Sequence, residues 1–223
     1  MRLVDLSMPI APHFRWRTQV SITGDIKAGD SFRVSRLDAA CHGFSHVDAQ
    51  AHILADAPTI ESTKLDRVVG PCRIVNLRDA PANAAIDAAQ LAAADPGGPQ
   101  DDILLLSAGW DRQRDYNTPE FWRESPWLTR DAAEYLLALR PKAVAFDFPQ
   151  DFPIRLLLDR IEVPFDQHVT HDVLLRNGVT LIEYLVNTAA LPGPRSFLCA
   201  APLLIPGADG APARVYAIED MAA

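Results

Sequence analysis

His42, His46, Asp48 and His52 bring three of the six histidines and one aspartate into a single short stretch. Even steps separate the four positions, so on a strand their side chains would share one face. A straight strand would spread them over roughly 30 Å, too far apart to share an ion. A helix would bring His42 and His46 together and turn Asp48 and His52 elsewhere. Convergence therefore requires a bend, which Gly43 permits. A turned strand and loop presenting two imidazoles and a carboxylate is the start of a divalent-cation site. The spacing alone fits hydrogen-bonded core histidines equally well, so a metal site needs further ligands from elsewhere in the chain.

The second informative stretch runs from His168 to Leu185. Thr170 is predicted to cap a short helix with His171 in its first turn, and Asn177-Gly178 to stop it. Residues 179–185 read as a strand on which Glu183 shares a face with Val179, Leu181 and Leu185. A carboxylate on an apolar face needs a partner, because burying it unpaired is costly; the alternative is a face solvated at the strand end. His168 has only its nearness in its favour, and His13 reads as structural or exposed. Cys41 beside His42 reads as a small buried thiol before a nucleophile.

The elements that must position these groups follow from pattern and punctuation. Residues 3–10 read as a short strand stopped by Pro9. Residues 11–31 form a long loop or hairpin, whose Arg15-Trp16-Arg17 would line a ligand site or a subunit interface, or be a surface loop with one anchored aromatic. Residues 32–40 alternate as a strand feeding the histidine stretch, and 72–77 form another after Gly70-Pro71. Asp87 caps a helix through Ala94. Ile103 to Ser107 is a fully apolar run of strand length, hence a buried central strand. Residues 111–128 read as irregular. Thr129 caps a helix over 130–139, and 143–147 is the next buried strand, with Asp147 at its carboxyl end, where α/β sites usually lie. Strand–helix–strand at this spacing is a βαβ unit, so part of the sheet is parallel. Residues 196–204 and 213–218 read as two strands joined by a hairpin-like turn at 206–210. With no repeat and no linker long enough to divide the chain, residues 1–223 are expected to form one domain.

Bulk properties narrow the function classes. The chain has 223 residues, 48% of them hydrophobic, and a net charge of −8. That length supports a real core, and the charge argues against nucleic-acid or anionic-membrane partners. Three isolated cysteines give no disulfide framework and no C-x-x-C site, so a reducing cytoplasm is the expected location. The N-terminus has no apolar signal region, and no run is long enough to cross a bilayer.

The two stretches together resemble the cyclase-like metal-dependent hydrolase family, which includes bacterial kynurenine formamidase and isatin hydrolase. That family carries H-x-G-T-H-x-D-x-P-x-H, matched here from His42 to His52, and H-x-x-L-L-x-x-G followed by E-x-L, matched at His171, Leu174, Leu175, Gly178, Glu183 and Leu185. Weaker similarity covers Asp5-Leu6-Ser7, Gly70-Pro71, residues 107–110 and the Asp147 to Asp151 region. The resemblance implies a compact α/β domain of stacked mixed and antiparallel sheets with flanking helices (a swivelling β/β/α-like arrangement), assembled as a homodimer or homotetramer. It implies that His42, His46 and Asp48 bind one cation, that Asp48, His171 and Glu183 bind a second where the site is dinuclear, and that His52 is the general acid/base. Zinc is the first expectation for the metal and manganese the second, with one or two ions per chain. Trp16 suits the N-terminal aromatic that lines the pocket in family members. Two positions depart from the motif: Phe44-Ser45 replaces Gly-Thr, and Gln50 replaces Pro. Every ligand position is kept, so the departures bear on pocket shape and substrate, with Phe44 and Gln50 expected beside Trp16 at the substrate.

The chemistry also follows from the residue types. A divalent ion held by neutral imidazoles and carboxylates stays net positive, acidifies water and polarises a carbonyl, while an unliganded histidine nearby takes and returns the proton. The leading expectation is hydrolysis of a carbon–nitrogen bond in a small amide, formamide or lactam. The rivals are a lactone hydrolase, cyclase or dehydratase on the same centre, and a non-catalytic metal or small-molecule binding protein. His52 favours an enzyme, since a binding protein needs no free base, although a histidine supporting a ligand would look the same in sequence.

Overall fold

Alternation along the buried strands decides the architecture. In the computed structural model, which describes residues 1–219, one sheet is built from β1 (Arg2–Asp5), β2 (His46–Asp48), β3 (Val69–Asn76), β4 (Ile103–Ser107), β5 (Ala143–Phe146), β6 (Thr180–Glu183), β7 (Arg195–Cys199), β8 (Gly210–Pro212) and β9 (Tyr216–Glu219). Their order across the sheet is β1-β9-β7-β3-β4-β5-β6-β2-β8. Neighbours from β3 to β6 are parallel, and the outer pairings are antiparallel. The result is a mixed α/β domain with a curled sheet and flanking helices, the fold class expected.

The period-two rule divides the core cleanly. Leu104, Leu106, Val144, Phe146 and Leu181 face one way, packing with Leu91, Ala132, Leu136, Trp110 and Trp122. Leu91 belongs to helix α1 (Ala88–Ala94), and Ala132 and Leu136 belong to α2 (Arg130–Ala138). Ile103, Leu105, Ala143, Ala145 and Ile182 face the other way. They meet Val4, Val47, Leu198, Ala211 and Ala217 from strands on both sides of the sheet. Helices cover one face, and the curl of the sheet covers the other.

Helix starts follow their caps with one exchange. Asp87 and Gln90 form a reciprocal capping box on α1, at 2.8 and 3.0 Å. Thr129 does not cap α2. Its hydroxyl donates instead to Ile86 O at 3.1 Å and to Asp131 at 2.5 Å, and Asp131 accepts from Ala88 N at 3.1 Å. The residue placed to cap one helix therefore helps tie it to the start of another. Residues 111–128 are more ordered than their composition implies: Trp110–Gln113 and Pro119–Arg123 are single helical turns, anchored by buried Trp110, Phe121 and Trp122.

Two strand expectations need correction. The C-terminal segments do pair, Phe197 opposite Ile218, but the turn between them is no simple hairpin. Residues 210–212 leave it as β8 and pair with β2, because Ala211 opposite Val47 extends the inner core. Alternation on β6 also stops at Tyr184, whose φ of 57° turns the chain, so Leu185 packs on the opposite side of the sheet from Leu181. The strand expected over residues 32–40 is shorter, Val34–Asp38, and pairs with Gln19–Gly24 from the expected loop or hairpin of residues 11–31 in a separate exposed ribbon. No helix among the described residues is long and apolar enough to cross a membrane.

Asp147, at the carboxyl end of β5, is a structural hub. It accepts hydrogen bonds from Ala108 N at 2.8 Å, from Gly109 N at 2.7 Å and from the Thr188 hydroxyl. Burial pushes its carboxyl up to about 6, against those three hydrogen bonds. A proton held more tightly in the folded state stabilises it fully below about pH 4, and that contribution is lost as pH rises through about 6. Relative to Asp147→Asn, the wild type should therefore lose about 2 kcal/mol of unfolding free energy between pH 4 and pH 7. Urea denaturation of both proteins at the two pH values measures this, and parallel curves would show that the carboxyl is solvated.

Candidate metal centre

Sheet pairing assembles the ligands. Strand β2 lies between β6 and β8, with His46 opposite Glu183 on one side and Asp48 opposite Gly210 on the other. His171 arrives on the short helix α3 (Val169–Val173). Three groups of three result, each with its potential ligand atoms within 4.8 Å of one another: the more exposed His42–His52–Asp209, and the pair His42–His46–Asp48 and Asp48–His171–Glu183. Asp48 belongs to both. His46, Asp48, His171 and Glu183 are all buried.

The donor set fits a cation. His46 Nδ1 lies 2.9 Å from Phe44 O, and a carbonyl only accepts, so Nδ1 carries the proton and the lone pair of the neutral ring sits on Nε2. That Nε2 is 3.2 Å from Asp48 Oδ1 and 3.7 Å from Glu183 Oε2. His171 repeats the pattern. Its Nδ1 is held by Asp151 at 2.7 Å, and its Nε2 stands 3.6 Å from Glu183 and 3.7 Å from Asp48. Two ligand atoms each about 2.0–2.2 Å from one ion sit roughly 3–4 Å apart. Asp48 Oδ2 is buried with no hydrogen-bond partner, an arrangement that is costly without a counter-charge.

Charge at the site tells the same story. Burial alone would depress His171, but the Asp151 hydrogen bond and the charges of Asp151, Glu183 and Asp48 hold it at about 10. His42 rises to about 9 against its burial, through Asp48 and Asp209. Burial and the Asp48 charge push Glu183 up. Asp48 itself is driven well below the usual range, its burial outweighed by the His42 hydrogen bond and by the neighbouring His46. The cluster demands positive charge, which protons supply when no ion does.

His42 turns Nδ1 to Asp48 at 2.8 Å, and its Nε2 is 2.9 Å from Asp209 Oδ2, without the alignment of a hydrogen bond. His52 stacks on His42 with ring centroids 3.8 Å apart, its Nδ1 3.4 Å from the same Asp209 oxygen. Burial lowers the His52 pKa, and the neighbouring histidine charges add to this against the pull of Asp48. The ring is therefore neutral at pH 7; it stands outside the two groups that share Asp48 and belongs to the third, with His42 and Asp209.

A cavity of about 410 Å³ opens above these groups, lined by His46, His52, His171, Glu183, Trp16 and Tyr184 among others. Trp16 stands where the sequence placed it. Phe44 and Gln50 do not reach the cavity. Phe44 has φ 60° and is 1% exposed, packed behind Trp16 at 5.0 Å. Its left-handed conformation explains why the motif favours glycine there. Gln50 opens a single 3₁₀ turn, donates to Leu175 O and Arg176 O, and lines a separate cleft that Asp48 also borders. Ser45 meets a structural need of the motif, its hydroxyl accepting from Met8 N and donating to Tyr184 O. Sequence reasoning missed Asp151, Gln150, which donates to Glu183, and Asp209. Asp151 lay within a segment of noted similarity; Asp209 sits in a turn with no chemical signature.

Comparison with known proteins agrees with this arrangement. Residues 4–150 match the family model described as "Putative cyclase". A kynurenine formamidase of Salinibacter ruber (strain DSM 13855 / M31) is 28% identical over 96% of this chain and 96% of that protein. A solved structure titled a potential metal-dependent hydrolase with cyclase activity is 27% identical, covers 99% of both chains and superposes with a TM-score of 0.74. Isatin hydrolase A from Labrenzia aggregata, bound to benzyl benzoate, shares the fold at a TM-score of 0.82 over 97% of this chain and 93% of its own, with 19% identity.

The hydrogen bond to His171 makes Asp151 a support for metal binding. Asp151→Asn should weaken zinc affinity about 10–100-fold, whereas His46→Ala should abolish tight binding. Titration against a competing chelator separates the two outcomes, and wild-type affinity in Asp151→Asn would remove His171 from the ligand set.

Proposed function

The chain belongs to this cyclase family, and we propose that it is a metal-dependent hydrolase of a carbon–nitrogen bond in a small amide, formamide or lactam. One observation carries the reading: two groups of ligands sharing Asp48 open on one aromatic-walled cavity beside an unliganded histidine. His42, His46 and Asp48 would hold one ion, and Asp48, His171 and Glu183 a second. Zinc comes first and manganese second for a site of imidazoles and carboxylates. Such an ion supplies Lewis acidity towards a carbonyl and lowers the pKa of water.

The chain's own residues supply the rest. Trp16 and Tyr184 form the walls against which a flat substrate is positioned. Asp209 beside His52 Nδ1 favours the tautomer protonated there and leaves Nε2 as the atom that takes and returns a proton. A lowered His52 pKa keeps that base available at neutral pH.

The assembly we propose is a homodimer or homotetramer. On the exposed hairpin, Val20, Ile22 and Leu37 share one face at 63%, 49% and 49% exposure, with Val20 directly opposite Leu37. A two-stranded ribbon showing an apolar face to water is marginal alone, and a second copy would cover it. The three thiols are unpaired, which suits the reducing cytoplasm we assign.

Two measurements test this reading. Protein reconstituted with zinc or manganese should hydrolyse aryl formamides, and His52→Ala should keep its metal while kcat falls about 10²–10⁴-fold. An unchanged rate removes His52 from the mechanism, and turnover that survives chelation overturns the metal-dependent reading. For assembly, Val20→Lys with Leu37→Lys should reduce the mass seen by light scattering to that of one chain; a wild type already monomeric refutes the interface.

A further inference from the structure

One imidazole of the cavity lies outside the metal chemistry. His168 lines the same space of about 410 Å³ as His52 and His171, but it belongs to none of the ligand groups among the described residues. Its ring centroid is 6.2 Å from that of His171, which also neighbours His52 at 5.6 Å. The residue is half-buried, and among the described residues its two ring nitrogens find no hydrogen-bond partner while staying open to solvent. Its backbone is pinned at the start of α3. His168 N donates to Phe165 O at 2.9 Å, and His168 O accepts from Asp172 N at 2.8 Å. Arg130 holds the flanks, donating to Asp166 O at 2.6 Å and to Asp172 at 2.8 Å. The ring is therefore set against the ligand His171, which the same short helix carries.

Ligand cavities are mostly apolar, with a few fixed polar groups that set orientation and specificity. Away from the ligands and His52, this one is lined by Trp16, Ile154, Leu157, Phe165 and Tyr184, with Arg15 and His168. Burial lowers the His168 pKa, so at pH 7 the ring is neutral, with one N–H donor and one lone pair. Such a ring matches a hydroxyl, which also donates and accepts, and has no charge with which to draw an acid. We propose that His168 is a specificity-determining residue: it hydrogen-bonds a neutral hydroxyl that the substrate carries next to its scissile amide, while the substrate ring lies against Trp16. A group held in place before binding makes that contact at little ordering cost. This names a substrate feature of the hydrolase reading and rests on it for turnover. Binding can be measured without it.

Pairs of equal size, differing in a hydroxyl against a methyl, test the contact on the metal-loaded protein. In calorimetry, 2-aminobenzyl alcohol should bind about tenfold more tightly than 2-ethylaniline. In turnover, kcat/KM for 2-(hydroxymethyl)formanilide should exceed that for 2-ethylformanilide by a similar factor. His168→Phe keeps a flat side chain without the nitrogens and should bring both ratios to about one, and His168→Gln should restore part of them. Should His168→Phe misfold by circular dichroism, His168→Leu carries the test with the same expectation. Equal handling of each pair by the wild type overturns the assignment. So does a preference that survives loss of the imidazole, since the metal or Arg15 would then hold the hydroxyl. Loss of metal from the folded variant overturns it too, since His168 would then serve the ligands. Binding preference without turnover of either formamide overturns the hydrolase reading and supports the contact; turnover of both without preference does the reverse.

Discussion

Everything at this centre depends on compensating the charge of Asp48. Its side chain is buried, it contributes to both groups of ligands, and one of its oxygens has no hydrogen-bond donor. A bare carboxylate in that position would be untenable. The surrounding architecture converges cation donors on it: His42 and His46 from its own segment, and His171 from α3. Glu183 brings a second negative charge to the same place, so the His42 and His171 imidazolium groups or a metal must balance the pair. The upward shifts of His42 and His171 are the protein's alternative to an ion. Metal binding here is a competition with protons, and affinity should be pH-dependent for that reason alone.

Holding Asp48 requires a strand of only three residues to be placed with little freedom. Strand β2 gains its order from neighbours on both sides, with Val47 locked between Ile182 and Ala211 in the inner core. Ser45 adds three ties at the entrance, to Met8 N, Tyr184 O and Ala213 N. Gly210 is the closest approach: a Cβ there would meet His42 Cε1 at 2.6 Å and Val47 O at 3.0 Å. The histidine ring and the β8 backbone therefore occupy space that no other residue could share without displacing a ligand.

The clustering of the candidate ligands was legible in the sequence because their chemistry is unusual and their spacing is local. His42, His46 and Asp48 lie within one bend, and the distance from His171 to Glu183 is a short helix, a Gly178 stop and a strand. The apolar runs of β4 and β5 likewise declared a buried parallel pair. What could not be read was tertiary pairing. Asp151 and Asp209 support histidines 20 and 157 positions away, and nothing local distinguishes them from other loop aspartates. The β8 strand was hidden in a turn for the same reason. Phe44 and Gln50 do not line the aromatic cavity: Phe44 packs behind Trp16, and Gln50 lines a neighbouring cleft that Asp48 also borders.

Phe44 nevertheless shapes the cavity through Trp16. A non-glycine residue in the left-handed region costs about 1–2 kcal/mol, and full burial of a phenylalanine side chain returns about as much or more. The return is collected against Trp16, which is also flanked by Trp122 at 5.1 Å, Tyr184 at 5.7 Å and His13 at 4.6 Å. His13 is itself tied down, its Nε2 2.9 Å from Tyr116 O. Gly43 leaves the space the indole needs: a Cβ there would meet Trp16 Cδ2 at 3.3 Å. A wall clamped on several sides is set before substrate arrives, so little ordering cost falls on binding.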